Sequence, residues 1–175
     1  LLLQQGELQL LRGYSAQMTS YVLTRLFTAA LTDAETDIRG TVLTVLDGRF
    51  DFFLTQPNFL KSLFLFLYDP SFEIREYSIK ILGRLAPRNP GYVYPTVRTV
   101  LLELLRHVIE NDDPLKQQVS ARLLGLTFKE FPSLLPPYVD SLCERLLEIA
   151  RTSSNSEVVA YTLSALGDLA EVIGQ

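Results

Sequence analysis

The dipeptide Leu-Gly recurs at one fixed spacing, and this spacing constrains the fold more than any other feature of the chain. It stands at Leu82-Gly83, Leu124-Gly125 and Leu166-Gly167, so consecutive glycines are 42 residues apart. Apolar residues surround each copy in the same way. Internal repeats of ~40–47 residues are typical of helical pairs that stack into an α-solenoid. The spacing therefore predicts an all-α chain of stacked helical pairs.

Aligning the chain on these glycines predicts about four helical pairs of the HEAT or armadillo type, in a single domain over residues 1–175. The repeats are expected at about 15–48, 57–86, 95–130 and 137–172. First helices are expected at about 15–31, 57–68, 95–110 and 137–151, and second helices at about 36–48, 71–86, 114–130 and 156–172. Pro57, Pro95 and Pro137 mark helix starts, and no proline needs to lie inside a helix.

Three glycines at one register of the second helices need a physical reason. A glycine inside a helix lowers its stability by ~1 kcal/mol relative to alanine. Without a Cβ at Gly83, Gly125 and Gly167, a neighbouring helix can pack against the backbone. We expect this close packing, and a series of hinges is the alternative.

An Asp-x5-Arg element occurs twice, at Asp33…Arg39 and Asp69…Arg75. We expect the aspartate to cap the second helix, while an arginine one turn into that helix reaches a neighbouring aspartate. Such pairs would form a ladder along the inside of the stack. The equivalent positions are Asn111 and Gln117 in the third repeat and Ser153 and Val159 in the fourth, where the ladder is expected to stop. The alternative is a set of solvated caps that contribute little individually.

The composition argues against several classes of function. The net charge is −4 and no Lys/Arg cluster is present, whereas nucleic-acid binding needs a basic face. The longest unbroken apolar run, residues 63–68, is far too short to span a bilayer. Leu1-Leu2-Leu3 lacks the basic flank of a signal peptide. Since the chain also begins without Met, we expect it to be a fragment of a longer protein.

The sequence shows no catalytic, metal-binding or cofactor-binding pattern. His107 is the only histidine, so a metal site or a nucleophile–base pair built on it has no second member, and we expect a half-exposed packing residue. The lone Cys143 excludes an internal disulfide and is expected to be a buried small hydrophobe rather than a reactive thiol. Solvated caps are expected at Asp47, Asp51, Asp112 and Asp113. We therefore predict no enzyme activity, no cofactor and no small-molecule substrate in this segment.

The helix predicted over residues 57–68 is apolar around its whole circumference. One arc consists of Phe59, Leu60, Leu63, Phe66 and Leu67. Phe64, Leu65 and Tyr68 fall on the opposite side. A helix that is apolar all round is normally covered all round, and aromatic residues often anchor interfaces. We therefore hypothesise that these three residues bind another part of the parent chain or a partner protein. The alternatives are that a loop of the same chain covers them, or that the patch is simply tolerated.

Several short segments carry a more specific resemblance. They are Asp37-Ile38-Arg39, Leu46-Asp47-Gly48-Arg49-Phe50-Asp51, Phe72-Glu73-Ile74-Arg75-Glu76, Gly83-Arg84-Leu85, Asn89-Pro90, Ser120-Ala121-Arg122-Leu123-Leu124-Gly125, Pro137-Tyr138 and Leu166-Gly167-Asp168-Leu169-Ala170. In this order they resemble the N-terminal HEAT region of the target-of-rapamycin kinases, over about residues 37–172. The Arg-Phe-Asp block is not part of the generic HEAT consensus. Gly48 departs from the family pattern, which has an acidic residue there, and the turn near 111–115 also differs.

This resemblance implies a segment of a large serine/threonine kinase of the phosphatidylinositol-kinase-related class, with its catalytic domain outside this chain. It implies a scaffold in nutrient and growth signalling that takes part in dimerisation, contacts other parts of the parent kinase and docks a raptor-type subunit. The complex is expected to be cytoplasmic and able to associate with endomembrane surfaces. The alternative is a HEAT scaffold of another class, a nuclear-transport receptor or a phosphatase scaffold, and the Arg-Phe-Asp block counts against it.

Overall fold

The computed structural model describes residues 2–110 and 113–174, with side chains described from residue 13 onward in these ranges. This part of the chain forms α-helices joined by short turns and contains no β-strand, which confirms the predicted all-α class. The helices are α1 (Leu2–Thr32), α2 (Thr36–Thr44), α3 (Asp51–Leu54), α4 (Pro57–Phe66), α5 (Phe72–Leu85), α6 (Pro90–Glu110), α7 (Pro114–Glu130), α8 (Val139–Thr152) and α9 (Ser156–Ile173). Single 3₁₀ turns lie at Gly48–Phe50, Pro132–Leu134 and Pro136–Tyr138.

The long helices form two layers that follow the chain order. In the first layer α1, α4, α6 and α8 each contact the next, and in the second layer α2, α5, α7 and α9 do the same. Consecutive helices, such as α4 and α5 or α8 and α9, pair across the layers. Each helical pair therefore contacts mainly its neighbours, which is the arrangement of an α-solenoid.

Apolar side chains at helical spacing fill the space between the layers. On α4 the apolar arc predicted from the sequence is buried. The ring of Phe27 on α1 lies 5.5 Å from that of Phe59 and 6.3 Å from that of Phe66, measured between centroids. Removing a large side chain of this kind from water stabilises a fold by ~1.5–3 kcal/mol. The arc therefore fixes which side of α4 faces the core.

The start of α6 differs from the sequence prediction. The helix begins at Pro90 rather than near residue 95, so Pro95 lies inside it and the prediction that no proline does so is wrong. The carbonyl of Asn89 accepts the first backbone N–H groups, from Tyr92 and Val93. Pro95 has no N–H for the carbonyl of Gly91 four residues earlier. Both Gly91 and Pro95 are exposed, so water can satisfy that carbonyl.

Three other helix boundaries also differ from the prediction. Helix α2 ends at Thr44 rather than near 48, because Asp47 accepts the Arg49 N–H and begins a 3₁₀ turn that leads into α3. Helix α8 begins after Pro137, which lies in its own 3₁₀ turn. Helix α1 begins at Leu2, well before residue 15.

Candidate interaction surface

Arg39 on α2 joins the first helical pair to the second. Its Nε lies 2.9 Å from Oδ2 of Asp69, and its Nη2 donates to Oδ1 at 2.9 Å. Its Nη1 donates to the carbonyls of Asp33 and Ala34. Asp69 also accepts the Ser71 N–H at the start of α5. Both charged side chains are less than a tenth exposed, so this is a buried ion pair with one charge-assisted hydrogen bond, from Nη2, and a close Nε–Oδ2 contact that is not a hydrogen bond.

A second arginine–aspartate pair of this predicted series is not found among the described residues. Arg75 is half-buried, and its buried Nε has no hydrogen-bond partner in that part of the chain. Burial lowers the pKa of the Arg75 guanidinium, and the nearby Asp69 carboxylate opposes this shift. Asn111, the expected partner position, lies outside the described residues. Gln117 donates to the carbonyl of Val108 at 3.1 Å instead.

Asp51 is not the solvated cap that the sequence predicted. Only 3% of the residue is exposed, and its Oδ1 lies 2.9 Å from the Nε of Arg84. Arg88 adds a second cation at 3.6 Å, and Nη2 of Arg84 donates to the Leu46 carbonyl at 2.6 Å. A buried carboxylate is stable when it is paired and hydrogen-bonded in this way. Asp47 and Asp113 do cap backbone N–H groups, whereas Asp112 lies outside the described residues.

These contacts bring together separate segments that carry the family resemblance. Asp51 belongs to the Arg49-Phe50-Asp51 block and Arg84 to Gly83-Arg84-Leu85. Asn89, from a third such segment, donates through Nδ2 to the carbonyl of Thr55 at 3.0 Å. The segments between α2 and α4 are thus held against the end of α5. The sequence analysis did not predict that these residues hold the segments together, because the partners are more than 30 positions apart.

The repeated glycines have different surroundings. A Cβ built on Gly125 would lie 2.5 Å from Oδ2 of Asp168 and 3.4 Å from the Cα of Ala165, both on α9. A Cβ on Gly83 would lie 2.8 Å from the Cβ of Glu130 on α7. Nothing lies within 4 Å of the equivalent point on Gly167. Close approach of the next second helix therefore accompanies the first two glycines and not the third.

The predicted partner-binding residues at the end of α4 divide into two kinds. Leu65 and Tyr68 are each 60% exposed, and together we call them the α4 patch. Phe64 instead stacks on Tyr92 of α6, with ring centroids 6.0 Å apart and an interplanar angle of 20°. Partial burial and the nearby Glu103 carboxylate raise the pKa of the Tyr68 hydroxyl. Phe64 therefore belongs to the border of the core, and the α4 patch faces solvent.

A groove of about 520 Å³ adjoins the α4 patch at Tyr68. Arg75, Leu115 and Lys116 line it, together with His107, which is exposed to solvent. The patch thus offers a leucine and a tyrosine side chain beside a groove whose lining carries both basic side chains and the Asp69 carboxylate.

Other features bear on the chemistry of the described part of the chain. Cys143 is a free thiol that is half-buried against the core. No group of three His, Cys, Asp or Glu side chains within residues 13–110 and 113–174 is placed to hold a metal ion. None of the described helices has the length and apolarity that a bilayer crossing requires.

Comparison with known proteins finds similar segments in several large kinases. The chain is 37% identical over 161 residues to the serine/threonine-protein kinase tor1 of Schizosaccharomyces pombe, which covers 92% of this chain and 7% of that kinase. It is 36% identical over 156 residues to the kinase mTor of Drosophila melanogaster, covering 89% and 6%. It is 36% identical over 162 residues to the kinase TOR2 of Saccharomyces cerevisiae, covering 93% and 6%. No family model matches the chain.

Proposed function

Because the chain is related to one segment of the target-of-rapamycin serine/threonine kinases, we propose that it is a non-catalytic scaffold segment of such a kinase. One observation carries this proposal: the match covers 92% of the chain and only 7% of the tor1 kinase. The helical pairs are then four HEAT repeats of one domain, and the catalytic domain lies elsewhere in the parent protein. Nothing specific favours a nuclear-transport receptor or a phosphatase scaffold.

In this proposal the segment supports protein–protein contacts in nutrient and growth signalling. It docks a raptor-type subunit, contacts other parts of the parent kinase and takes part in its dimerisation. The complex acts in the cytoplasm and at endomembrane surfaces. Stacked helical pairs suit this role because they expose extended surfaces along the stack.

The α4 patch is the surface that we propose for docking. Leu65 and Tyr68 keep more than half of their surface in water, although Leu65 directly precedes the buried Phe66 and Tyr68 directly follows the buried Leu67. Removing apolar surface of this kind from water favours association. Tyrosine is also enriched among the residues that dominate binding energies. Phe64, which precedes Leu65, is held against α6 through its stacking on Tyr92.

The docking role is tested by measuring how much raptor-type subunit associates with the parent kinase. Leu65→Asp combined with Tyr68→Asp places two charges on the patch, so we expect several-fold less raptor-type subunit to co-purify with the full-length kinase. Leu147→Asp, at a 42% exposed position on α8, is the matched control and should leave co-purification unchanged. In the 175-residue chain, the double variant should have nearly the same circular dichroism spectrum and Tm as the wild type.

Two outcomes would contradict the docking role of the patch. If the double variant assembles as well as the wild type, the subunit does not bind there. If the double variant loses its helicity, Leu65 and Tyr68 are core residues rather than an interface.

A further inference from the structure

Arg122 of α7 contacts aromatic rings on both neighbouring helices of the second layer. Its guanidinium carbon lies 4.0 Å from the centroid of the Phe72 ring at the start of α5. The same carbon lies 5.4 Å from the centroid of the Tyr161 ring on α9. A guanidinium is attracted to the faces of aromatic rings at these distances. Rings on two different helices therefore hold its position although Arg122 is exposed.

No acidic side chain of the described residues forms an ion pair with Arg122. The neighbouring acids have other partners: Glu76 with Lys80 at 2.6 Å, Asp168 with Lys129 at 2.8 Å, and Glu73 with the Ser71 hydroxyl at 2.6 Å. The Ser71 hydroxyl lowers the pKa of Glu73 most, and Arg122 adds only a small coulombic contribution. The N–H groups of Arg122 donate no hydrogen bond within the described residues. They are thus available to an external acceptor.

Arg122 also lines a groove of about 240 Å³ that runs over α5, α7 and α9. Phe72, Leu126 and Tyr161 give this groove apolar surface, and Ser164 adds a hydroxyl. Among the described residues, two carboxylates and two cations line the groove; Asp168 is paired with Lys129, and Glu76 is paired with Lys80 outside the lining. Arg122 is the remaining cation, and it offers a planar set of donors.

We propose that Arg122 binds the carboxylate of an Asp or Glu in an acidic segment of a partner protein, which lies in this groove. A guanidinium binds a carboxylate through two parallel N–H···O bonds, and here its position is already restricted by contacts with the rings of Phe72 and Tyr161. Restricting the side chain before binding reduces the entropy lost on binding. The rings also offer apolar contact to the methylene groups of the bound acid. The inference rests on the proposed scaffold role and names the chemistry of one partner, but its surface is separate from the α4 patch.

The experiment is selection of a displayed random dodecapeptide library on the full 175-residue chain. We expect the selected peptides to share an Asp or Glu flanked by apolar residues, and this preference should disappear when selection uses Arg122→Gln. A selected peptide should then bind Arg122→Gln at least ten-fold more weakly in fluorescence anisotropy. It should bind Arg122→Lys more weakly as well, because an ammonium keeps the charge but loses the planar donors.

Matched variants separate binding from folding. Arg145→Gln removes an exposed arginine on α8 and should leave peptide affinity unchanged. Tyr161→Leu keeps the Arg122 guanidinium but removes one of its two ring contacts, so it should weaken peptide binding a few-fold. If Arg122→Gln fails to fold, Tyr161→Leu provides the test instead. Replacing the acidic residue of the peptide by its amide should weaken binding to the wild type as much as Arg122→Gln does.

The inference is overturned if the selected peptides show no acidic preference, or if Arg122→Gln selects the same peptides as the wild type. Tighter binding of the same peptide with phosphoserine in place of the acid would overturn the assignment to a carboxylate. Neither result would change the outcome expected for subunit association through the α4 patch, so the two proposals can fail separately.

Discussion

The junction between α2 and α5 and the junction between α7 and α9 occupy equivalent places in the stack, yet different interactions hold them. At the first, Arg39 reaches Asp69 through two contacts of 2.9 Å, with both side chains buried. At the second, Gly125 lets α9 approach so closely that a Cβ would meet Ala165 and Asp168. Helices α7 and α9 accordingly form the most extensive helix contact in the described chain.

The difference shows that one repeat geometry can be stabilised by two kinds of chemistry. The ionic junction depends on both partners being present, because a buried charge without its partner is strongly unfavourable. The junction between α7 and α9 depends on the absence of a side chain at Gly125, because the interior has no room for added atoms. The two junctions should therefore respond to different substitutions.

The largest effect is expected at the ionic junction. Arg39→Met removes the cation paired with the buried Asp69 carboxylate and leaves only the nearby Arg75, so it should lower the free energy of unfolding by up to ~3–5 kcal/mol. Urea unfolding of the 175-residue chain measures this change. Arg49→Met at the exposed Asp47–Arg49 pair is the control, and its stability should stay close to that of the wild type.

A double-mutant cycle checks that charge is the cause. Arg39→Met combined with Asp69→Leu replaces both charges by apolar groups and should recover much of the lost stability. A double variant as unstable as the sum of the two single variants would mean that the arginine acts through packing alone.

The second-largest change in stability is expected at one of two glycines that share the same register. Gly125→Leu overpacks the contact with α9 and should destabilise the chain by ~1–3 kcal/mol. Gly167→Leu meets open space and removes a glycine from a helix, so it should leave stability unchanged or raise it by up to ~1 kcal/mol. Thermal unfolding followed by circular dichroism gives both values. Equal changes in Tm for the two variants would refute the distinction between the packed and the open glycine.

The smallest effect concerns pH at the junction of α5 and α7, where Glu130 lies against Gly83. Burial raises the pKa of the Glu130 carboxyl, and the nearby Lys80 only partly opposes this. A raised pKa means that the fold favours the protonated acid over the carboxylate. The resulting stabilisation is fully present at a pH below the pKa of the unfolded chain, and it is lost as the pH rises through the pKa of the folded chain. Glu130→Gln should therefore be more stable than the wild type at pH 7, by less than about 1 kcal/mol because the carboxyl is only half-buried.

The same difference in stability should shrink as the pH falls below the ordinary glutamate pKa of 4.5. Glu144→Gln, at an exposed position on α8, serves as the comparison for the loss of one negative charge. A Glu130→Gln variant that is less stable than the wild type at pH 7 would show that the ionised carboxylate is favourable in the fold.

The sequence was most informative where a local pattern decides the structure. The spacing of the glycines predicted the all-α stack, and the apolar arc of α4 predicted which face is buried. The start of α6 could not be predicted as well, because Pro90 and Pro95 are both acceptable first-turn residues and only the fold selects between them.

Contacts between distant residues were the least predictable part of the candidate sites. Asp51 resembled a solvated cap because Arg84, its partner, lies 33 positions away in the sequence. Phe64 resembled an interface residue because its stacking on Tyr92 depends on how α4 packs against α6. Helical periodicity identifies the face on which a residue lies, but not what a second helix brings to that face.

We propose that this segment is a scaffold and takes no part in the chemical step. The most direct test of this proposal is the activity of the full-length parent kinase carrying Leu65→Asp and Tyr68→Asp, measured on two substrates. One is a short peptide that needs no docking subunit, and the other is a full-length protein substrate. We predict that phosphorylation of the protein substrate falls several-fold while the rate on the short peptide is unchanged. Equal loss of both activities would show that the segment affects catalysis itself.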